Sequence, residues 1–392
     1  MTYASALEWL FARTRAGDIR SGKRTKALLA LLGHPERRVQ TIHVIGTNGK
    51  GSTCAMLAAG LQQAGLRVGR FTSPHLEDYR ERVVVNGVPI AQSTVLEFVQ
   101  WAQEHAADAA FFDLTTVLGL LHFARQGVDF AVVEAGVGAR HDATACLENV
   151  RATIITNVDY DHEATIGVGH LPSVLENIAF EKAGGIRVGV PVLTAAKGIA
   201  LEVIANVARE RAAPLHVLGS ANPLFALPHV PVLQGQHQLE NAALAVATLR
   251  LLGYGAEVLE AALGATWAGR LETLLLAGST VTLDGAHNPA GAQALARSLA
   301  GQKFALLFAA MSRKRVPDIL EPLLALAQEK HFVAVSPQGV DPLELAAQYG
   351  GTAHPDLESA LKAVLCHQKV LIAGSLYLVG AARSRLLQPK AP

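Results

Sequence analysis

The chain has 392 residues, half of them hydrophobic, with 34 basic and 33 acidic side chains. This is enough apolar material for more than one core, and the near-neutral balance excludes the polycationic character that neutralises nucleic-acid phosphates, which favours a small-molecule ligand. The cysteines Cys54, Cys146 and Cys366 are scattered without metal-type or disulfide-framework spacing, which suits a reducing cytoplasm. In chain order, the opening MTYASALEWLFARTR carries charges inside its apolar pattern and reads as neither a signal peptide nor a membrane span.

A strand, Thr41 to Ile45, leads into GTNGKGST, residues 46 to 53, and Thr53 to Ala64 reads as a helix closed by Gly65. Strand, glycine-rich turn and helix in that order gather backbone N–H groups and the positive end of a helix dipole around one point, which suits a phosphate. The expected nucleotide-binding residues are Gly46, Thr47, Asn48, Gly49, Lys50, Gly51, Ser52 and Thr53. Lys50 supplies charge to the terminal phosphates, and Ser52 or Thr53 supplies a hydroxyl for magnesium. The loop departs from the common phosphate-loop pattern, because two residues separate Gly46 from Gly49 and Gly51 stands between Lys50 and Ser52.

Farther on, FAVVE (130–134), ATIITNV (152–158) and PVLTA (191–195) alternate with Ala- and Leu-rich helical stretches, the signature of βα units around a mostly parallel sheet. Glu134 ends one such strand before a glycine turn, where carboxylates meet ligands and Mg²⁺. Asp161 and His162 follow another. The stretch 219–236, rich in Pro, Gly and Gln, reads as a loop excursion. Near AGRLE (268–272) the pattern restarts: a strand at 279–284, a Gly/Asn/Pro turn, an Ala-rich helix, then the strands FALLFAA, HFVAVS and KVLIAGS. The expected architecture is an α/β fold with a phosphate-loop-type, mostly parallel sheet flanked by helices over residues 1–270, followed by a smaller Rossmann-like α/β domain over 271–392.

GTNGKGST, SPHLEDYRERVVVNGVPI (73–90), VVEAGVGARHDAT (132–144), DH (161–162), ENIAFEKAG (176–184), LQGQHQLENAALA (233–245), AGRLE, LDGAHNP (283–289) and GSLYLVG (374–380) occur in one order across nearly the whole chain. In this the sequence resembles the folylpolyglutamate synthase and dihydrofolate synthase family of the Mur ligase superfamily. The resemblance implies an ATP-dependent, ADP-forming ligase of folate biosynthesis and one-carbon metabolism that joins L-glutamate to dihydropteroate or a reduced folate through an acyl phosphate. It implies two Mg²⁺ ions held by Ser52, Glu134, His162 and a carbamylated Lys182, with a monovalent cation besides. It also implies catalytic roles for Lys50, Lys182, His162 and Arg270, and ATP contacts from Asn241, Arg270 and Asp284, with Asn241 and Arg270 on the far side of a cleft. Substrate contacts fall to His75, Arg82 and His287. The expected molecule is a cytoplasmic monomer with no nucleic-acid or membrane partner.

The sequence departs from the family pattern at several places. GVGARHDATA stands where GLGGRLDATN is common, putting Ala139, His141 and Ala145 in place of a glycine, an apolar residue and an asparagine. KAGGIR carries an extra glycine after Lys182, AGR replaces PGR, and AMSRKR (310–315) replaces an acidic stretch. Two other readings share some features. A cell-wall Mur ligase or other Mur-type amino-acid ligase has the same chemistry, but it carries a hydroxyl residue directly after the lysine and a further N-terminal domain. A nucleotide-binding regulator needs the loop without the metal set. A dinucleotide oxidoreductase fits worse, because G-x-G-x-x-G is missing.

Overall fold

Five of the six residues of β1 (Gln40–Ile45) are buried, as befits a strand covered by helices on both faces. A computed structural model describes residues 1–13, 22–219, 222–276, 278–312, 314–336 and 338–388. Thr14 and Arg15 of the opening segment, Ser220 and Ala221 of the 219–236 loop, Ala277 and Arg313 lie outside them. The described residues separate into two units.

The first unit comprises residues 1–75, 79–232 and 238–266. Its strands are β1, β2 (Val68–Phe71), β3 (Val83–Val85), β4 (Val88–Pro89), β5 (Phe130–Glu134), β6 (Val150–Ile155), β7 (Val192–Thr194) and β8 (Leu215–Val217). They lie in the order β4-β3-β2-β5-β1-β6-β7-β8. From β2 to β8 every neighbouring pair is parallel, and β3 and β4 add an antiparallel edge. β1 is central, so its carboxyl end, where the glycine loop begins, opens between β5 and β6, the position at which α/β sheets collect ligands.

The helix after that loop runs from Lys50 to Gln63, three residues earlier than its sequence suggests. Gly51 lowers helical propensity and hides the first turn from a reading based on composition. Its end is as expected: Ala64 caps it and Gly65 follows at φ +80°. Met56, Leu57 and Leu61 are fully buried, each contributing about 1.5–3 kcal/mol by leaving water. This burial holds the helix N-terminus rigidly at the sheet's ligand-binding end.

The second unit comprises residues 267–392 with the short pieces 76–78 and 233–237. Its strands are β9 (Glu272–Leu276), β10 (Ser279–Leu283), β11 (Phe304–Phe308), β12 (Ala327–Val333), β13 (Thr352–His354) and β14 (Lys369–Ala373), in the order β13-β12-β11-β14-β10-β9. All pairs are parallel except β9 with β10. One face packs on the helices Pro289–Ser298 and Val316–Leu324, the other on Leu357–Val364 and Leu376–Leu387. Both units are therefore α/β layers, as expected. Strands β2 to β4, β8 and β13, of two to four residues each, and the partly exposed edge strand β9 are additional to those the sequence suggests.

Candidate active site

The glycine loop is fastened from the side by the residues that follow β6. Thr47 N–H donates to the Asn157 carbonyl at 2.8 Å and Asn48 N–H to the Asn157 side-chain oxygen at 2.8 Å. Thr156 Oγ1 donates to the Asn48 carbonyl at 2.6 Å, and the Thr47 hydroxyl bridges the Asp159 backbone at 3.0 and 3.1 Å. No local sequence pattern marks this clamp, since its two halves stand more than a hundred positions apart. Because Thr47 and Asn48 spend their N–H groups on it, the donors aimed at a ligand are those of Gly49, Lys50, Gly51 and Ser52, the first four of the helix.

Gly49, at φ +86°, begins that helix in a left-handed conformation. A Cβ there would collide with the Asn241 side-chain oxygen, so glycine is required both by the backbone and by the neighbour. Asn241 sits on the helix Gln236–Leu251, within the same unit as the loop. Its Nδ2 donates to Gln238 Oε1 at 2.9 Å, and Gln238 Nε2 donates to Ser52 Oγ at 3.2 Å. Gln238, buried and absent from the sequence-derived set, thus ties this helix to the hydroxyl expected to meet a metal ion.

Lys50 folds back over its own loop, donating to the carbonyls of Gly46 at 3.2 Å and Thr47 at 3.1 Å, with Nζ 3.8 Å from Glu134 Oε1. Glu134, 4% exposed, accepts from Ser73 N–H at 3.2 Å. Lys182 is also buried, and its Nζ donates to the Gly46 carbonyl at 2.8 Å. Burial, helped by the positive charge of Lys50 and opposed by Asp161 and Asp142, lowers the Lys182 pKa to about 7. A neutral amine at this position is chemically accessible at physiological pH.

The helix carrying Lys182, Val174–Ala183, begins with a Ser173–Glu176 capping box. The unusual GVGARH loop holds its far end. Arg140 N–H donates to the Glu181 carbonyl at 2.9 Å, its guanidinium lies 3.7 Å from the Phe180 ring centre, and His141 Nδ1 is 3.0 Å from Glu181 Oε1. The extra glycine is closely packed: a Cβ on Gly185 would collide with Ile45 Cδ1 and lie 3.0 Å from the Ala139 methyl. The two departures from the family pattern therefore meet one another beside Lys182.

His162 is exposed, at φ 56° before a short helix, with Nε2 3.9 Å from Asp161 Oδ2. Arg82 Nε donates to His75 Nδ1 at 2.8 Å, which fixes that imidazole as a neutral acceptor at Nδ1. Phe11, Tyr79 and Phe111 surround the pair, with the Arg82 guanidinium 5.1 Å from the Phe111 ring centre.

Arg270, Asp284 and His287 belong to the second unit. Asp284 is buried and accepts from the N–H groups of Leu271 and Ala286, both at 2.9 Å. Arg270 Nη1 lies 3.4 Å from the Gly269 carbonyl, and its guanidinium occupies the space that a side chain on Gly285 would need. His287 Nδ1 is 2.7 Å from the Gly285 carbonyl. Asn288 caps the helix Pro289–Ser298 through Gly291 N–H at 2.8 Å. The sequence motif AGR…LDGAHNP thus folds into one local turn system.

A strand-end glycine loop, a lysine on its helix and a buried carboxylate on the adjacent strand define a phosphate-loop nucleotide enzyme. A family model for the Mur ligase glutamate ligase domain matches residues 269–376. Over 98% of this chain and 99% of the relative, the sequence is 32% identical to the dihydrofolate synthase/folylpolyglutamate synthase of Bacillus subtilis. Among solved structures, FolC of E. coli in complex with DHPP and ADP matches with a TM-score of 0.87 at 26% identity, covering 98% of this chain and 97% of that one. The bifunctional folylpolyglutamate synthase/dihydrofolate synthase of Yersinia pestis, complexed with AMPPNP and a Mn ion, matches with a TM-score of 0.87 at 27% identity, covering 99% and 98%. The chain belongs to the folylpolyglutamate synthase/dihydrofolate synthase family, and it is an ATP-dependent, ADP-forming ligase. No helix among the described residues is long and apolar enough to cross a membrane.

Proposed function

We propose that the protein joins L-glutamate to dihydropteroate, to a reduced folate, or to both, at the expense of ATP. The observation that carries this reading is the convergence of Lys50, Lys182 and Glu134 on the loop that begins at Gly46. The acceptor's carboxylate oxygen attacks the γ-phosphorus, the bond to the bridging oxygen breaks and ADP leaves. The glutamate amine then attacks the acyl carbon, the bond from carbon to the phosphate oxygen breaks, and the amine proton is released as the amide forms.

In this chemistry the protein positions groups and stabilises charge. The N–H groups of Gly49 to Ser52 and the Lys50 ammonium face the transferring phosphoryl group, with Gly46, Thr47, Asn48, Thr53 and Asn241 shaping the loop around it. Arg270 adds positive charge, and Asp284 orients the nucleotide's sugar end. His75, Arg82 and His287 contact the acceptor or glutamate. Ser52, on the helix after the loop, and Glu134, 3.8 Å from the Lys50 Nζ, are hard oxygen donors of the kind that fits magnesium. His162 and a carbamylated Lys182 complete the sites for two ions, and a monovalent cation binds nearby. Magnesium, when bound, withdraws charge from the phosphoryl oxygens. The lowered pKa of Lys182 supports carbamylation, because only the neutral amine attacks CO₂.

We place the functional domain boundary at 270/271 and the enzyme, as a monomer, in the cytoplasm. The deciding experiment is an ATP-dependent assay with dihydropteroate and tetrahydrofolate as separate acceptors and mass spectrometry of the products. Addition of one glutamate residue with loss of water to either acceptor is the expected result. ATP hydrolysis without any glutamylated product would overturn the reading.

A further inference from the structure

Three potential ligands converge at the edge of the second unit, away from its AGR and DGAHNP turns. Glu329 and His331 alternate along β12, which places them on one face of the sheet. His354, in register with Val333 on β13, shares that face. His367 lies in the turn between the helix Leu357–Val364 and β14. Ala305 on β11 stands in register with both Glu329 and Val370 and presents only a methyl between them.

One ligand atom each from Glu329, His331 and His367 lies within 4.8 Å of the others. His331 Nε2 is 3.6 Å and His367 Nε2 3.3 Å from Glu329 Oε2. Tetrahedral coordination with bonds of about 2.1 Å separates ligand atoms by about 3.4 Å, so both edges already have the required length. His331 is 6% exposed, yet its buried Nε2 has no hydrogen-bond partner. Buried polar atoms are seldom left this way, and a nitrogen facing a carboxylate and a second imidazole has the surroundings to bind a cation.

The other nitrogen of His331 is already oriented: Nδ1 lies 2.9 Å from His354 Nε2. When His331 Nδ1–H donates to that nitrogen, the lone pair of Nε2 points at Glu329 and His367. Metal-bound histidines are held in their ligating tautomer by such a second hydrogen bond. The mouth is open to solvent, since the side chains of Glu329 and His367 are 53% and 31% exposed. Cys366, next in sequence, stays outside the cluster, with Sγ directed at the Lys362 carbonyl at 3.5 Å.

We infer that Glu329, His331 and His367 form a binding site for a divalent transition metal such as Zn²⁺, oriented by His354 and with water in the fourth position. Two imidazoles and one carboxylate suit zinc and its neighbours over magnesium, which prefers oxygen donors. The ion ties β12 to the turn before β14 across β11, so it acts as a clasp at the amino end of the sheet and is separate from the nucleotide chemistry.

The test uses the full chain, stripped of metal and titrated with Co²⁺ in excess Mg²⁺, with Zn²⁺ as competitor. Wild type is expected to take up one equivalent more than His367→Ala, with the visible absorption of tetrahedral Co²⁺, and Zn²⁺ is expected to displace it. Cys366→Ser should behave as wild type. His354→Ala should bind about 10- to 100-fold more weakly. Zn²⁺ should raise the melting temperature of wild type and leave that of His367→Ala unchanged. Equal uptake and equal spectra for wild type and His367→Ala would overturn the site, and loss of the absorption in Cys366→Ser would assign it to the thiol instead.

Discussion

Lys50 and Lys182 donate to the same acceptor, the Gly46 carbonyl, at 3.2 and 2.8 Å. Two ammonium groups on one oxygen repel one another. Burial, reinforced by this repulsion from Lys50, lowers the Lys182 pKa to about 7.

The first prediction follows from the sign of that shift. The unfolded chain binds a proton at Lys182 that the folded chain releases between about pH 7 and the ordinary lysine value, so stability rises with pH across that window. Lys182→Met removes the buried charge. It is expected to be more stable than wild type to urea at pH 6.5, with the gap closing towards pH 10, and inactive as a ligase throughout. A variant less stable than wild type by the same amount at both pH values would contradict the burial argument.

Carbamylation provides a separate readout. With its pKa lowered to about 7, Lys182 has a neutral amine available near pH 7, whereas an unperturbed lysine is almost wholly protonated there. With ¹³CO₂, wild type should show a carbamate carbon resonance that grows as the pH rises through 7 and is missing from Lys182→Arg. Full ligase activity in Lys182→Arg would show that charge alone matters there.

Lys50→Ala should leave the melting curve close to that of wild type and lower turnover by about 10²- to 10³-fold, the range for losing one charge-stabilising group. Turnover within a few-fold of wild type would remove Lys50 from phosphoryl transfer.

Gly49→Ala places a methyl against Asn241 in a left-handed backbone. Left-handed φ alone costs about 1–2 kcal/mol for a residue with a Cβ. Urea titration should show a larger loss for Gly49→Ala alone than for the same change made in Asn241→Ala, because the second substitution removes the clash but not the backbone strain. Equal losses in both backgrounds would mean that the loop moves away from Asn241 instead.

His43 gives an acid-side prediction. It is fully buried on β1, with Nε2 2.9 Å from Thr144 Oγ1, and burial, with a smaller contribution from Arg187, lowers its pKa to about 3. The unfolded chain takes up a proton near pH 6.5 that the folded chain refuses, so stability present above that value is lost as the pH falls towards 3. His43→Gln keeps an N–H for Thr144 and cannot titrate. Its stability should fall less steeply than that of wild type between pH 6.5 and 4 in parallel denaturation curves.

Much of the nucleotide end was legible in the sequence because its parts are consecutive: strand, glycines, Lys50, helix, and Glu134 at the end of another apolar strand. The clamp from Thr156, Asn157 and Asp159 and the reach of Lys182 to Gly46 were not, because hydrogen bonds between residues over a hundred positions apart leave no local pattern. Asn241 was expected across a cleft and lies against Gly49 in the same unit. The three-residue β13 has too few positions to show alternation. β12 begins four residues before HFVAVS because its first half, AQEK, is polar and partly exposed.

The clamp around Thr47 and Asn48 also bears on the thermodynamics of ligand capture. A loop already fixed by side chains of the neighbouring strand end loses little conformational freedom when a phosphate arrives, whereas each residue of a floppy loop would forfeit about 1–2 kcal/mol of backbone entropy. Contact energy at the loop is therefore spent on affinity instead of on ordering the receptor. Calorimetry of Asn157→Ala should accordingly show nucleotide binding with a more unfavourable entropy than in wild type.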